Sequence, residues 1–275
     1  MPRLTTLLLV SLALGAPRAS AQEVPDSSHA GPILICVDEK VAAKKDVALY
    51  LRDREGRTRR VFECVPYDVK SLRDGGAIVA ERWLGQVTVL DRDMKVTFRK
   101  TGLVEPVDVE LDKDGTVIVV LRTEGVVVGY DPATGAERWR RTGFTSPFDV
   151  EPTPDGGLIV ADSGANRLVV LDAEGAIVRT IGGITFPNCV ERLDKGGLLV
   201  TNYNGGEVIE LDPQGRVLSR RSVGGTIYRA WRRQDGATVV ATGDGTLTVY
   251  DRAGQVILTE KLANGFVDVE PIEDI

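Results

Sequence analysis

Four aspartates recur at matching points of the chain, Asp68, Asp108, Asp149 and Asp268, and the same column is completed by Cys189 and Arg229. Glu110, Glu151, Glu191 and Glu270 stand two residues further on, which on an extended strand puts them on the same face as the column. Carboxylates repeated in this way can do one of two things. They can ring a channel and hold a divalent cation such as calcium through their oxygens, with Asn188 as a fifth donor beside Asp68, Asp108, Asp149 and Asp268. Alternatively, each can accept backbone hydrogen bonds where its own repeat begins. Regular recurrence favours the second, because scaffolding obeys a repeat and function breaks it.

The breaks are therefore the candidate site. The column just before the acidic one reads Tyr67, Val107, Phe148, Asn188, Tyr228 and Val267, mostly apolar or aromatic. Asn188 with Cys189, Tyr228 with Arg229, and Trp231 where the other repeats mostly carry Glu all depart from the pattern. Trp83 and Tyr203 fall in loops on the same expected face. Tyr67, Trp83, Phe148, Asn188, Tyr203, Tyr228, Arg229 and Trp231 together form an aromatic and polar platform suited to a protein, peptide or small-molecule partner. The single histidine is His29, so no Ser-His-Asp or Cys-His arrangement can be assembled.

The elements that must position these residues are written in the repeat. Pro66, Pro106, Pro147 and Pro187 are spaced by about forty residues, and Gly75, Gly115, Gly156, Gly196 and Gly236 follow at one offset within their units. Within a unit, short runs alternate with period two and are separated by Asp-Gly or Gly-Gly pairs, which signals antiparallel strands joined by tight turns. Four strands are expected per unit, for example over 147–151, 158–162, 167–171 and 176–180. Repeated four-stranded units of this length make an all-β, six-bladed β-propeller. Five blades span about 66–100, 106–141, 147–181, 187–222 and 226–262. The sixth is assembled from three strands in 32–63 and one in 264–275, so that both termini close the ring. The structural domain thus runs over 32–275.

The unit P-x-D-V, Asp-Gly-Gly, L-I-V-A-D, N-R-L, V-L-D, E-G, V-R-T resembles an NHL repeat. The stretch DPATGAERW at 131–139 is similar to the tryptophan-docking turn of pyrroloquinoline-quinone-type propellers. The blade pattern also resembles the gluconolactonase and senescence-marker family, which implies a divalent metal at the channel mouth held by Glu, Asn and Asp. Only Asn188, in the phrase PNCV, stands at a matching position. Amidating lyases, virginiamycin-type lyases and propeller arylsulfotransferases use channel histidines, which this chain lacks. The aromatic platform and the missing channel histidines lead to the expectation of an exported binding or scaffold propeller without a cofactor, with a metal-dependent hydrolase or lyase of the lactonase-like group as the alternative.

Composition is ordinary for a globular protein, with 43% hydrophobic and 27% charged residues. Residues 1–21 carry Arg3, an apolar run from Leu7 to Ala16, and Ala19-Ser20-Ala21, the pattern of a cleaved secretory signal peptide followed by a tail over 22–31. The run is too short for a membrane span, so a secreted or periplasmic monomer is expected. The formal charge is −6, and it becomes more negative once Arg3 and Arg18 are removed. This sign speaks against nucleic acid as a partner. Lys40, Lys44 and Lys45 in the loop 38–46 read as solvated. Of Cys36, Cys64 and Cys189, only the first two are near enough in the expected fold to form a disulfide.

Overall fold

A computed structural model describes residues 32–37, 47–53, 55–262 and 268–272. The signal peptide, the tail with His29, the lysine loop 38–46 and Val267 lie outside these residues. Each repeat folds because its turns are locally encoded. In blade 5, Asp212 Oδ1 accepts the N–H groups of Gln214 and Arg216 at 2.9 and 2.8 Å, and Gly215 takes φ 82° where a side chain would be strained. In blade 4, a Cβ on Gly157 would meet the Leu171 carbonyl oxygen at 2.2 Å, so the second glycine of Asp-Gly-Gly lets two strands approach.

Six four-stranded antiparallel sheets result. Blade 4 is typical. Pro147–Pro152 is innermost, followed outward by Leu158–Asp162, Arg167–Leu171 and Ile177–Ile181, close to the ranges read from sequence. Blade 1 takes its innermost strand, Asp268–Pro271, from the C-terminal end. It pairs with Ile33–Val37 in a register that sets Cys36 opposite Asp268, and Ala48–Arg52 and Thr58–Phe62 complete the sheet. The expected closure by both termini is what the chain does. Among the described residues no helix is long and apolar enough to cross a membrane.

The core lies between blades. Ile78, Ala80, Val109, Val119 and Leu121 fill the wedge between blades 2 and 3; Ile33, Ile35, Trp231, Val239 and Val269 fill that between blades 6 and 1. Each fully buried Val, Leu or Ile side chain contributes about 1.5–3 kcal/mol. Second strands such as Val117–Leu121 are buried along their whole length, since both of their faces meet a neighbouring blade. At the periphery, Lys100, Arg141, Arg179 and Arg221 each donate to a backbone carbonyl in the next blade, at 2.6–3.2 Å. Trp139 of the docking turn lies on Gly129, where a Cβ would come within 2.4 Å of its ring. That makes it a cross-strand packing device within its own blade.

None of the three cysteines is in a disulfide. The Cys36–Cys64 bond considered from sequence is not formed: Cys36 is enclosed in the sheet, and the Cys64 thiol turns to the Phe62 carbonyl oxygen at 3.8 Å.

Candidate functional site at the channel mouth

The innermost strands all begin at one end of the ring, and there a backbone irregularity builds the site. In blades 3 to 6 the pairing with the second strand skips one residue: Val107, Phe148, Asn188 or Tyr228. A bulge of this kind re-aims a side chain. Two consecutive residues, which alternation would send to opposite faces, therefore both line the channel. The mouth is walled by Tyr67, Val107, Phe148, Asn188 and Tyr228 and floored by Asp68, Asp108, Asp149, Cys189, Arg229 and Asp268.

The floor forms a ring of ties from blade to blade. Asp268, Asp68, Asp108 and Asp149 each accept, through Oδ2, the backbone N–H of the following blade's inner strand: Val69 at 3.3 Å, Val109 at 3.0 Å, Val150 at 2.8 Å and Val190 at 2.8 Å. The aspartates are thus backbone acceptors, as one sequence reading held, but for the next blade instead of their own. At the two breaks the polarity inverts and the side chain donates. Asn188 Nδ2 gives hydrogen bonds to the carbonyls of Ile227 and Tyr228 at 3.1 and 2.9 Å, while its Oδ1 accepts from the Thr201 hydroxyl. The Arg229 guanidinium lies 3.7 Å from Asp268 and 2.6 Å from Glu270.

A second tier lies two residues deeper: Lys70, Glu110, Glu151, Glu191, Trp231 and Glu270. Lys70 pairs with Glu110 and approaches Glu270 at 4.0 Å, Glu151 faces Arg192 at 3.6 Å, and Glu191 accepts the Arg232 N–H at 2.9 Å. Burial dominates the protonation of this column. It drives the Asp68 and Asp108 carboxyls well above the usual range, with the neighbouring carboxylates adding to it. It also raises Glu110 to about 7, Glu151 to about 8 and Glu191 to about 7. Burial works against the charges on Lys70 and Arg229 too, but the surrounding carboxylates outweigh it and both stay cationic. Burial first, then the Asp149 charge, holds the Cys189 thiol protonated.

Above the floor the aromatic residues join into a crescent. Tyr67 meets Phe148 at 6.5 Å between ring centroids, Phe148 meets Phe186 at 6.0 Å and Tyr203 at 6.4 Å, Phe186 meets Tyr203 at 5.7 Å, and Tyr203 meets Tyr228 edge-on at 5.6 Å. The Arg82 guanidinium lies 4.8 Å from the Tyr67 ring and 4.5 Å from that of Trp83, and Arg122 lies 5.2 Å from Phe148. Phe186 takes φ 45° immediately before Pro187, a conformation costing about 1–3 kcal/mol in a bulky residue. Its N–H is held by Asn166 Oδ1 at 2.8 Å.

The structure brings together seven of the eight platform residues expected from sequence. Trp231 is the exception: it is 5% exposed and packed between blades 6 and 1, so it belongs to the core. Sequence reasoning missed Phe186, Arg82 and Arg122, which sit in loops outside the two aligned columns. Phe186 carried one usable signal, an aromatic residue directly before a repeat-opening proline.

As a chelating site the floor fits a divalent cation poorly. Each aspartate has committed one oxygen to a backbone N–H, and the Asn188 oxygen is taken by Thr201. Among the described residues no three His, Cys, Asp or Glu side chains converge on a point where a metal could sit. The enclosed space at the throat is about 20 Å³, room for one or two waters.

The family described as outer membrane protein assembly factor BamB matches residues 82–179 of this chain. No curated protein matches. Among solved structures, a protein of unknown function from Bacteroides caccae is 14% identical, with a TM-score of 0.70 over 88% of this chain and 99% of the other. Virginiamycin B lyase from Staphylococcus aureus is 13% identical, with a TM-score of 0.59 over 71% and 69%. Kuenenia stuttgartiensis hydrazine synthase is 21% identical, with a TM-score of 0.60 over 73% and 68%. At these identities the likeness is one of fold.

Proposed function

We propose that this propeller is an exported, monomeric binding module that recognises a partner polypeptide at the channel mouth. The observation that carries this reading is the unbroken crescent of five rings from Tyr67 to Tyr228, flanked by Arg82, Arg122 and Trp83. Tyr, Trp, Phe and Arg are the side chains that supply most of the energy at protein interfaces. The throat is far smaller than the roughly 300–1,000 Å³ of a small-molecule pocket, which favours a ligand lying across the mouth over one swallowed by it. The assembly-factor family that matches part of the chain is named for work on other proteins, and this agrees with a polypeptide partner. A hydrolase or lyase using a divalent cation on Asp68, Asp108, Asp149, Asn188 and Asp268 has less in its favour, since those oxygens already serve the ring of ties.

The test compares two variants for capture of partners from the exported fraction. Phe148→Ala with Tyr203→Ala should lose a specific partner while melting within a few degrees of the parent. Ile177→Ser with Leu218→Ser, on outer strands, should keep it. Loss in the outer-strand variant alone would move the interface to the periphery.

A further inference from the structure

The throat holds more carboxyl groups than cations, and the unpaired ones have a location. Its two cations pair elsewhere: Arg229 with Asp268 and Glu270, and Lys70, on blade 2, with Glu110 of blade 3 and more distantly Glu270. Asp68, Asp108 and Asp149, on three consecutive blades, have no cation partner among the described residues. Each commits Oδ2 to one backbone N–H, which leaves one oxygen apiece. Asp108 is 1% exposed and its Oδ1 is buried without any hydrogen-bond partner. A buried acceptor without a donor costs about 1–3 kcal/mol, more when charged. Such an oxygen, in the wall of an opening that leads to solvent, is a vacancy for a donor.

Resting on the reading of the mouth as a polypeptide-binding surface, we propose that the throat takes one primary ammonium group, the side chain of a lysine on the partner, seated against the unpartnered oxygen of Asp108, with Asp68 and Asp149 on either side. Three features select it. An ammonium has N–H donors and no acceptor, matching the one floor oxygen that lacks a donor, Asp108 Oδ1. The free space of about 20 Å³ admits a head the size of a water molecule but not the planar fork of a guanidinium. The walls directly above, Tyr67, Phe148 and Tyr228, present apolar ring surface to the four methylenes of a lysine stem.

The probe is Nα-acetyl-lysine N-methylamide, titrated into the full chain and followed by NMR chemical-shift changes. The comparators are the norleucine, arginine and Nε-trimethyl-lysine analogues. The lysine compound should bind about tenfold more tightly than each of the others, with shifts confined to the mouth. Asp108→Asn with Asp149→Asn should remove that preference. Asparagine keeps an acceptor for the Val150 and Val190 N–H groups, so the variant should fold, and its melting temperature verifies this. Equal binding of the four compounds, no binding by any, or an undiminished lysine preference in the double variant each overturns the proposal. If Phe148→Ala with Tyr203→Ala still loses the partner after such a failure, only the ammonium assignment falls. If that variant keeps the partner, the mouth reading falls with it.

Discussion

The channel floor has two arcs that solve one problem with opposite chemistry. Over blades 2 to 4 the chain writes Asp68, Asp108 and Asp149, and each carboxylate accepts a backbone N–H from the next blade. Over blades 5 and 6 it writes Asn188 with Cys189 and Tyr228 with Arg229, and the side chains donate instead. Both arcs tie neighbouring blades together. In the second arc the floor itself holds a cation, Arg229; in the first the cation, Lys70, lies one tier below, and burial favours the protonated form of the floor carboxyls. Had all six blades carried aspartate, the floor would hold six like charges with Lys70 as the one buried cation nearby. The two departures thus make the ring tolerable, and they also leave three adjacent carboxyls without a salt bridge.

The contrast is sharpest at Arg229. Removing one partner of a buried charge pair leaves the other uncompensated and costs about 3–5 kcal/mol. Arg229→Met should therefore destabilise by that amount, read from denaturant unfolding at neutral pH, because Asp268 and Glu270 would remain buried with Lys70 as the nearest cation. A loss below about 1 kcal/mol would mean that the second arc is not neutralised by this residue.

The glutamates beneath the arcs give the next effect. Glu110, Glu151 and Glu191 titrate near 7, 8 and 7 in the folded protein, against about 4.3 when unfolded. The folded state therefore binds protons more tightly. The stability these groups confer is complete below about pH 4.3 and is lost as pH rises through 7 to 8. Unfolding free energy should fall by a few kcal/mol between pH 5.5 and 8.5, and Glu151→Gln should flatten that slope. Stability that is flat or rising over this range would show the lower tier to be better solvated or better paired than its burial implies.

Within the first arc, charge and hydrogen bonding can be separated at one residue. Asp108→Asn keeps an acceptor for the Val150 N–H and removes a carboxyl whose ionised form burial disfavours, so its stability should stay within about 1 kcal/mol of the parent or exceed it. Asp108→Ala leaves that N–H unsatisfied and should cost about 1–3 kcal/mol. Chemical denaturation of the pair decides this, and equal losses would assign the effect to packing.

How far these arcs could be read in the sequence follows from where each piece of information is stored. The blades, their four strands and the closure by Asp268–Pro271 were legible because every repeat carries its own Asp turns and left-handed glycines, all local signals. The two inward columns were legible by alignment. The partner of each aspartate was not, since it is a backbone N–H about forty residues away and carries no residue identity. Trp231 was misplaced because its column holds glutamates in four blades, whereas in blade 6 the same position turns into the wedge beside Ile33 and Val269. Phe186, Arg82 and Arg122 escaped because the crescent crosses blades while the alignment runs along them.

Phe186 gives the smallest effect on stability and the clearest separation of folding from recognition. Its backbone at φ 45° before Pro187 suits glycine, which adopts left-handed angles without steric cost. Its ring is half-buried and touches only Phe148 and Tyr203 among aromatic neighbours. Phe186→Gly relieves backbone strain, loses two ring contacts worth about 0.5–1.5 kcal/mol each, and raises the entropy of the unfolded chain. These terms oppose one another, so the melting temperature should move by no more than a few degrees. The crescent, however, loses the ring that bridges Phe148 and Tyr203 from outside their own contact, and partner binding should weaken about tenfold or more, as for an interface hot spot. A strongly destabilised glycine variant would show that the ring packs for the fold. A stable variant with unchanged binding would remove Phe186 from the site and leave the strained backbone as a consequence of the Asn166 hydrogen bond alone.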